Sequence, residues 1–266
     1  ATLMGLAIGE IALRVFGMAG LQPFSPLSVP FVLIDEHLGW FNQEGFSGDF
    51  GENTPAIVVE HNSKGARGPE YPAAAQFDGS RILILGDSYA WGYGVDQAHT
   101  AAAVMERQNP KLEVINFGVN GFSTDQQLLL FERTARGLRP DIVVLLAFSN
   151  DLIGNTLAVN YVLYPKPRFV LRDGNLELRR QAPAIGVVRK AHLAAMGRSA
   201  FYTAVASVLR TAHVFPFPLM RSSADQMAAA WRGEPVPDPD SLMAALVGRL
   251  HATVADSGAT LVVVAA

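Results

Sequence analysis

The chain has 266 residues, half of them apolar and 17% charged, which is the composition of a core-forming protein and not of a disordered one. Its formal charge is −3 and its 21 lysines and arginines are scattered, so no basic field exists to hold a nucleic-acid backbone. It has no cysteine, which removes disulfides, thiolate metal sites and thiol nucleophiles together.

Thr2 to Gly20 is apolar except for Glu10 and Arg14, which stand four apart and can pair on a helix. The uninterrupted apolar part is shorter than the roughly 20 residues that span a bilayer. Two readings stand. One is the tail of a signal anchor that begins outside this sequence, which would make the protein extracytoplasmic and attached to the inner membrane by its N-terminus. The other is an amphipathic helix packed on the domain. Residues 21–80 form an extension rich in Pro, Gly and aromatic residues, where short strands and turns are expected. Ala56 to Glu60 is its clearest strand, and Asn62 to Gly68 is a turn-rich segment after it.

The pattern changes at residue 81. Arg81 to Leu85 is a short apolar run ending in Gly86-Asp87-Ser88, as expected of a strand covered on both faces. A helix is predicted over Thr100 to Gln108, a strand over Glu113 to Phe117, and a helix over Ser123 to Arg136. The last has a capping-box start in Ser123 and Gln126 and a terminating glycine in Gly137. Asp141 to Ala147 is a third buried strand. Such alternation argues for parallel βαβ units. About a hundred residues then interrupt it, with a hairpin signal at Asp173-Gly174 and helical segments around 185–211 and 222–232. Glu234 to Pro239 reads as a loop, Asp240 to Ser257 as a helix ended by Gly258, and Leu261 to Val264 as a fourth parallel strand.

Three segments at predicted strand ends carry groups suited to chemistry: Gly86-Asp87-Ser88, Asn116 to Gly121, and Ser149-Asn150-Asp151. Open α/β sheets bind ligands at that edge. Ser88 supplies a hydroxyl, Gly118 a backbone amide without a side chain, and Asn150 a side-chain amide. Those are the parts of a nucleophile and an oxyanion hole. Asp87 reads as a brace for the nucleophile turn, Asp151 as a turn cap, and Asn116 and Asn120 as supports for the Gly118 loop. Tyr89, Trp91 and Tyr93 either line a pocket or cover the sheet edge. No G-x-G-x-x-G loop follows the first strand, which argues against a nucleotide-binding domain.

In order and spacing these segments resemble the first three blocks of the SGNH (GDSL) hydrolase family, with Ser88, Gly118 and Asn150 at its Ser, Gly and Asn positions. Asn62 to Gly68 resembles, more weakly, a segment of membrane-anchored bacterial members. Tyr89 stands where Leu gives the family its GDSL name, and Phe148 where a Gly-x-Asn-Asp block often has Gly. The resemblance implies a flavodoxin-like three-layer α/β/α fold with a central parallel sheet. The resemblance itself covers about 80–151 and the strand at 261–265; the domain it implies spans 81–266, with a cap-like insertion at about 155–260, and lacks the last strand and helix. It implies a serine esterase of O-acetyl or short acyl esters, acting on a small acyl ester or acylated glycan without metal or cofactor. An O-acyltransferase using the same serine and a non-catalytic glycan-binding module are the alternatives. The family's Asp-x-x-His block is expected past Ala266, which would leave this chain alone with little activity. The one Asp-x-x-His string here, Asp96 to His99, reads as a helix start.

Overall fold

A computed structural model describes residues 5, 9–10, 31–50, 57–72, 77–158, 166–179, 201–202, 205 and 237–265. Most of the apolar stretch 2–20 and of the helical segments expected at 185–211 and 222–232 lies outside the described residues. The chain divides into two compact units, one of Ala1–Pro30 with Pro183–Gln226 and one of Phe31–Ala182 with Met227–Ala266. In the first, the Glu10 carboxylate accepts the Phe201 amide at 2.9 Å. Among the described residues no helix is long and apolar enough to cross a membrane.

The second unit opens with two antiparallel hairpins, β1 (Val32–Asp35) with β2 (Gly39–Asn42) and β3 (Ser47–Phe50) with β4 (Ile57–Glu60). Both hairpins fall within the segment 21–80, and β4 is the strand expected around Ala56 to Glu60. The alternating part follows: β5 (Ser80–Gly86), α1 (Ser88–Trp91), α2 (Ala101–Gln108), β6 (Leu112–Gly118), α3 (Thr124–Arg133), β7 (Ile142–Ala147) and α4 (Asn150–Gly154). The hairpin β8 (Arg168–Arg172) and β9 (Asn175–Arg179) turns at Asp173-Gly174, both at positive φ. Then come α5 (Pro239–Asp256), started by the Asp238 cap and Pro239, and β10 (Thr260–Ala265).

One parallel sheet runs in the order β10-β7-β5-β6. By order of appearance this is 2-1-3-4, the flavodoxin-like doubly wound arrangement. The path steps outward from β5 to β6, then returns past β5 to β7. Right-handed crossovers therefore put α2 on one face and α3 on the other. The packing agrees. Ala102 and Met105 of α2 cover Ile82, Ile84, Val114 and Val144, while α3 and α5 pack together. In α5 the apolar stripe is Leu242, Leu246, Leu250 and Val254, all fully buried and spaced by four. The result is a three-layer α/β/α core, as expected.

Two elements end differently from their sequence pattern. α3 stops at Arg133, and Ala135–Leu138 forms a separate 3-10 turn that contains Gly137 and is closed by Arg139 at φ 51°. β6 runs to Gly118, so this glycine ends a strand paired with Gly86 and does not lie in the loop.

The extension is bolted to the sheet core by Arg67. This buried guanidinium donates to the carbonyls of Trp91, Gly92 and Val95 and to Gln97 Oε1, and lies 4.1 Å over the Trp91 ring. All but one of those acceptors are backbone carbonyls at the end of α1 and in the turn that follows it, so residues 57–72 shape the loop just beyond Ser88. Desolvation pulls Arg67 down to about 10, which leaves it charged.

Candidate active site

The C-terminal edge of the sheet carries the three expected segments. The strand order reverses between β5 and β7, and ligands bind in the crevice at such a switch point. Ser88 follows β5 and Asn150 follows β7, so the two candidate groups flank that crevice.

The turn at Ser88 is tight because its neighbours are small or capped. Gly86 is closely packed, since a Cβ there would meet the Ala90 methyl at 2.5 Å. Asp87 caps α1, with its Oδ1 accepting the Tyr89 amide at 2.9 Å. Gly92, left-handed at φ 88°, ends the helix after one turn. Ser88 is half-exposed, and its hydroxyl makes no hydrogen bond among the described residues. As the first helical residue it also has an amide with no intrahelical acceptor.

Asn150 is exposed, and its Nδ2 donates to the buried Asp87 Oδ2 at 3.3 Å. An amide nitrogen has two protons, so one remains to face a ligand. Asp87 braces the turn as its sequence suggested, and it also orients Asn150, which the sequence did not show.

Gly118 is placed beside this pair but used differently from expectation. Its amide donates to Asn116 Oδ1 at 2.9 Å, and Asn116 Nδ2 donates to the Ala90 carbonyl at 2.8 Å. A side chain at 118 would run into the Trp91 backbone nitrogen. The residue is a glycine so that β6 can lie against α1, and its N–H is already bonded in place of facing an oxyanion. Asn116 thus supports the loop as expected. Asn120 does so only through its carbonyl, which accepts the Trp40 indole at 2.8 Å.

Two further corrections concern neighbours. Asp151 does not cap a turn. It is fully buried, with Oδ2 accepting the Thr124 hydroxyl at 3.1 Å and Oδ1 without a hydrogen-bond partner. Burial, then the charges of Asp87 and Asp125, push its carboxyl up to about 7. Trp91 is buried and lines nothing, whereas Tyr89 and Tyr93 are exposed. The indole of Trp91 donates to His61 Nε2 at 3.0 Å, and His61 Nδ1 faces the Gln43 carbonyl at 3.1 Å. These two bonds require the Nδ1–H tautomer. Desolvation holds His61 down at about 4, so it is a neutral core histidine.

Asp96 accepts the Ala98 amide and starts the 3-10 turn Gln97–His99, which makes that Asp-x-x-His string a cap as expected. None of the described histidines, His37, His61, His99 and His251, bonds to Ser88. Among the described residues no cluster is suited to hold a metal ion.

Beneath the site lies a polar group that sequence reasoning missed. Lys166 Nζ meets both Asp125 oxygens at 2.5 and 2.6 Å, and both side chains are fully buried. Burial pushes Asp125 up and Lys166 down, against their mutual attraction. Asp125 is the second residue of α3, where an acid ordinarily sits in solvent, so nothing local signalled the pair.

Comparison with known proteins adds to this geometry. The profile of the GDSL-like lipase/acylhydrolase family matches residues 84–265. No protein of curated function matches the chain. Among solved structures, a lipolytic-type protein of the G-D-S-L family from Desulfitobacterium hafniense DCB-2 is 10% identical, over 69% of this chain and 77% of that one, at a TM-score of 0.27. An alpha/beta hydrolase enzyme from the metagenome of Lake Arreo, Spain, is 17% identical, over 70% and 77%, at a TM-score of 0.26. Those structural likenesses are weak, and the assignment rests on the profile, which spans more than half of the chain and contains Ser88, Gly118 and Asn150. The chain belongs to the GDSL-like lipase/acylhydrolase family.

Proposed function

We propose that this protein is a serine-dependent hydrolase of O-acetyl or short acyl esters, with Ser88 as nucleophile and Asn150 as an oxyanion donor. The observation that carries the reading is the bridge through Asp87. One carboxylate holds both the helix that presents Ser88 and the amide of Asn150 across the switch-point crevice.

In this reading Ser88 Oγ bonds to the ester carbonyl carbon and gives its proton to a histidine. The carbonyl electron pair moves onto oxygen, facing the second N–H of Asn150 and the amide of Ser88. Collapse breaks the bond to the alcohol, which leaves with the histidine's proton. Water, deprotonated by the same histidine, then bonds to the acyl carbon; the carbon–Oγ bond breaks, the histidine returns the proton to Ser88 Oγ, and the acid leaves. The base belongs to sequence outside the described residues. Gly118 is not needed as a donor.

The test is release of p-nitrophenol from p-nitrophenyl acetate by the full-length protein and its Ser88→Ala variant. The expected outcome is a fall of at least about a thousandfold with an unchanged melting temperature. An unchanged rate would overturn the assignment of Ser88.

A further inference from the structure

The two places where the sequence departs from the family's block pattern are Tyr89, next to the nucleophile, and Phe148, two residues before Asn150. The structure brings them together. Their rings stack with centroids 4.3 Å apart and planes inclined by 24°. They rise from the ends of β5 and β7, the two strands that flank the switch-point crevice. The departures are therefore one feature, an aromatic pair that joins the α1 turn beside Ser88 to the segment leading into Asn150.

This pair is not covered. Tyr89 is 62% exposed and Phe148 half-buried. Tyr93, whose amide donates to the Ser88 carbonyl at 2.9 Å, is 58% exposed. Ile153 lies three residues after Asn150 on α4, on the same helical face, and is 56% exposed. A single exposed apolar side chain needs no explanation, but several on the loops that carry one nucleophile and its oxyanion donor mark a binding surface.

Its chemistry narrows the ligand. An aliphatic chain gains from being enclosed, because its stabilisation scales with the apolar area removed from water on all sides. An open, flat ring face covers only one side of what it binds. It suits a ring that is apolar on its C–H face and polar at its rim. Polar groups flank the platform for such a rim: the Tyr89 phenol and the exposed Ser149 and Asn150.

We infer that Tyr89 and Phe148 form a stacking platform for a pyranose ring that carries the ester, so that the substrate class is an O-acylated sugar. The inference rests on the proposed hydrolase reading of Ser88. In it the sugar is the alcohol part of the ester and stacks on Tyr89 while its acyl carbonyl sits at Ser88 Oγ.

The experiment compares two probes, methyl 6-O-acetyl-glucopyranoside and ethyl acetate, on the full-length protein and on Tyr89→Leu and Phe148→Leu. The expected result is a loss of about five- to tenfold in kcat/KM for the acetylated glucoside, carried by KM, and a clearly smaller change for ethyl acetate. Two variants are used so that a folding defect in one does not decide the outcome. If ethyl acetate is hydrolysed in a Ser88-dependent way but the glucoside parameters do not move in either variant, the platform is overturned and the hydrolase reading stands. If neither probe is turned over, the hydrolase reading falls. The platform is then decided by saturation-transfer NMR with the acetylated glucoside on the Ser88→Ala protein. Transfer to the sugar ring protons that disappears in Ser88→Ala/Tyr89→Leu supports it, and no transfer in either overturns it.

Discussion

Asn150 Nδ2 donates to Asp87 Oδ2 at 3.3 Å, while the other oxygen of the same carboxylate takes the Tyr89 amide at 2.9 Å. Asp87 is buried and Asn150 exposed, so the carboxylate is the fixed member of the bridge and the amide the one it positions. The side chain acts as a ruler between the helix that begins at Ser88 and the Asn150 amide. Its two oxygens accept, and both partners donate.

That geometry makes Asp87→Asn a sharp test. An asparagine keeps the size and can still accept from the Tyr89 amide through its oxygen. Its nitrogen would then face the Asn150 nitrogen, donor against donor, and Asn150 would turn away. The fold should survive, and kcat should fall by at least about tenfold with KM little changed. Asn150→Ala should lose about a hundredfold or more. Steady-state kinetics on p-nitrophenyl acetate, beside a thermal melt, checks both. An Asp87→Asn enzyme with full kcat would show that the bridge does not orient the amide.

Gly118 separates packing from catalysis. A methyl at this position would collide with the Trp91 backbone, so Gly118→Ala should lower the melting temperature and not only the rate. Its amide is bonded to Asn116, so Asn116→Ala should loosen the turn around α1 without removing an oxyanion donor. We expect its loss of kcat to be smaller than that of Asn150→Ala. The reverse order would return the Gly118 amide to the oxyanion hole.

The pair of Lys166 and Asp125 predicts a rescue. Lys166→Met leaves a buried carboxylate without its counter-charge and should cost about 3–5 kcal/mol. Replacing both, as Lys166→Met with Asp125→Leu, removes the charge as well as its partner and should recover much of that loss. Urea unfolding of the three proteins measures it. A double variant no more stable than Lys166→Met alone would mean that the carboxylate is not what destabilises it.

The fold was legible because its cues are local. Arg81 to Leu85 and Asp141 to Ala147 are continuous apolar runs, and a strand covered on both faces has no polar side to show. Asp173-Gly174 fixes a two-residue turn by its positive φ alone. Ser88 and Asn150 could be picked out because each follows such a strand directly. What could not be read depends on long-range contact. Gly118 looked like an open donor until Asn116 and Trp91 were seen around it. Asp151 looked like a cap because its neighbours Thr124 and Asp87 are far off in sequence. The stack of Tyr89 on Phe148 joins residues 59 apart, which no local pattern links.

Two buried groups, Asp151 and His61, contribute to the pH dependence of stability in opposite senses. Asp151 is raised from 3.8 to about 7, chiefly by burial and then by Asp87 and Asp125. Its folded state holds the proton more tightly, so its contribution is fully present below about pH 4 and is lost as pH rises through 7. His61 is lowered from 6.5 to about 4, by burial and by the Arg67 charge, with the Gln43 bond opposing. Its contribution is present above 6.5 and is lost as pH falls through 4. At about 1.4 kcal/mol per unit, the swings are about 4 and about 3 kcal/mol over nearly the same window. They offset each other across that window, so removing either one should tilt the profile. Asp151→Asn keeps an acceptor for Thr124 but does not titrate, and its urea midpoint should rise with pH across the window. His61→Gln leaves Asp151 alone, and its midpoint should fall. Opposite slopes in the two variants are the signature. Parallel slopes in all three proteins would show that neither group is held as the structure places it.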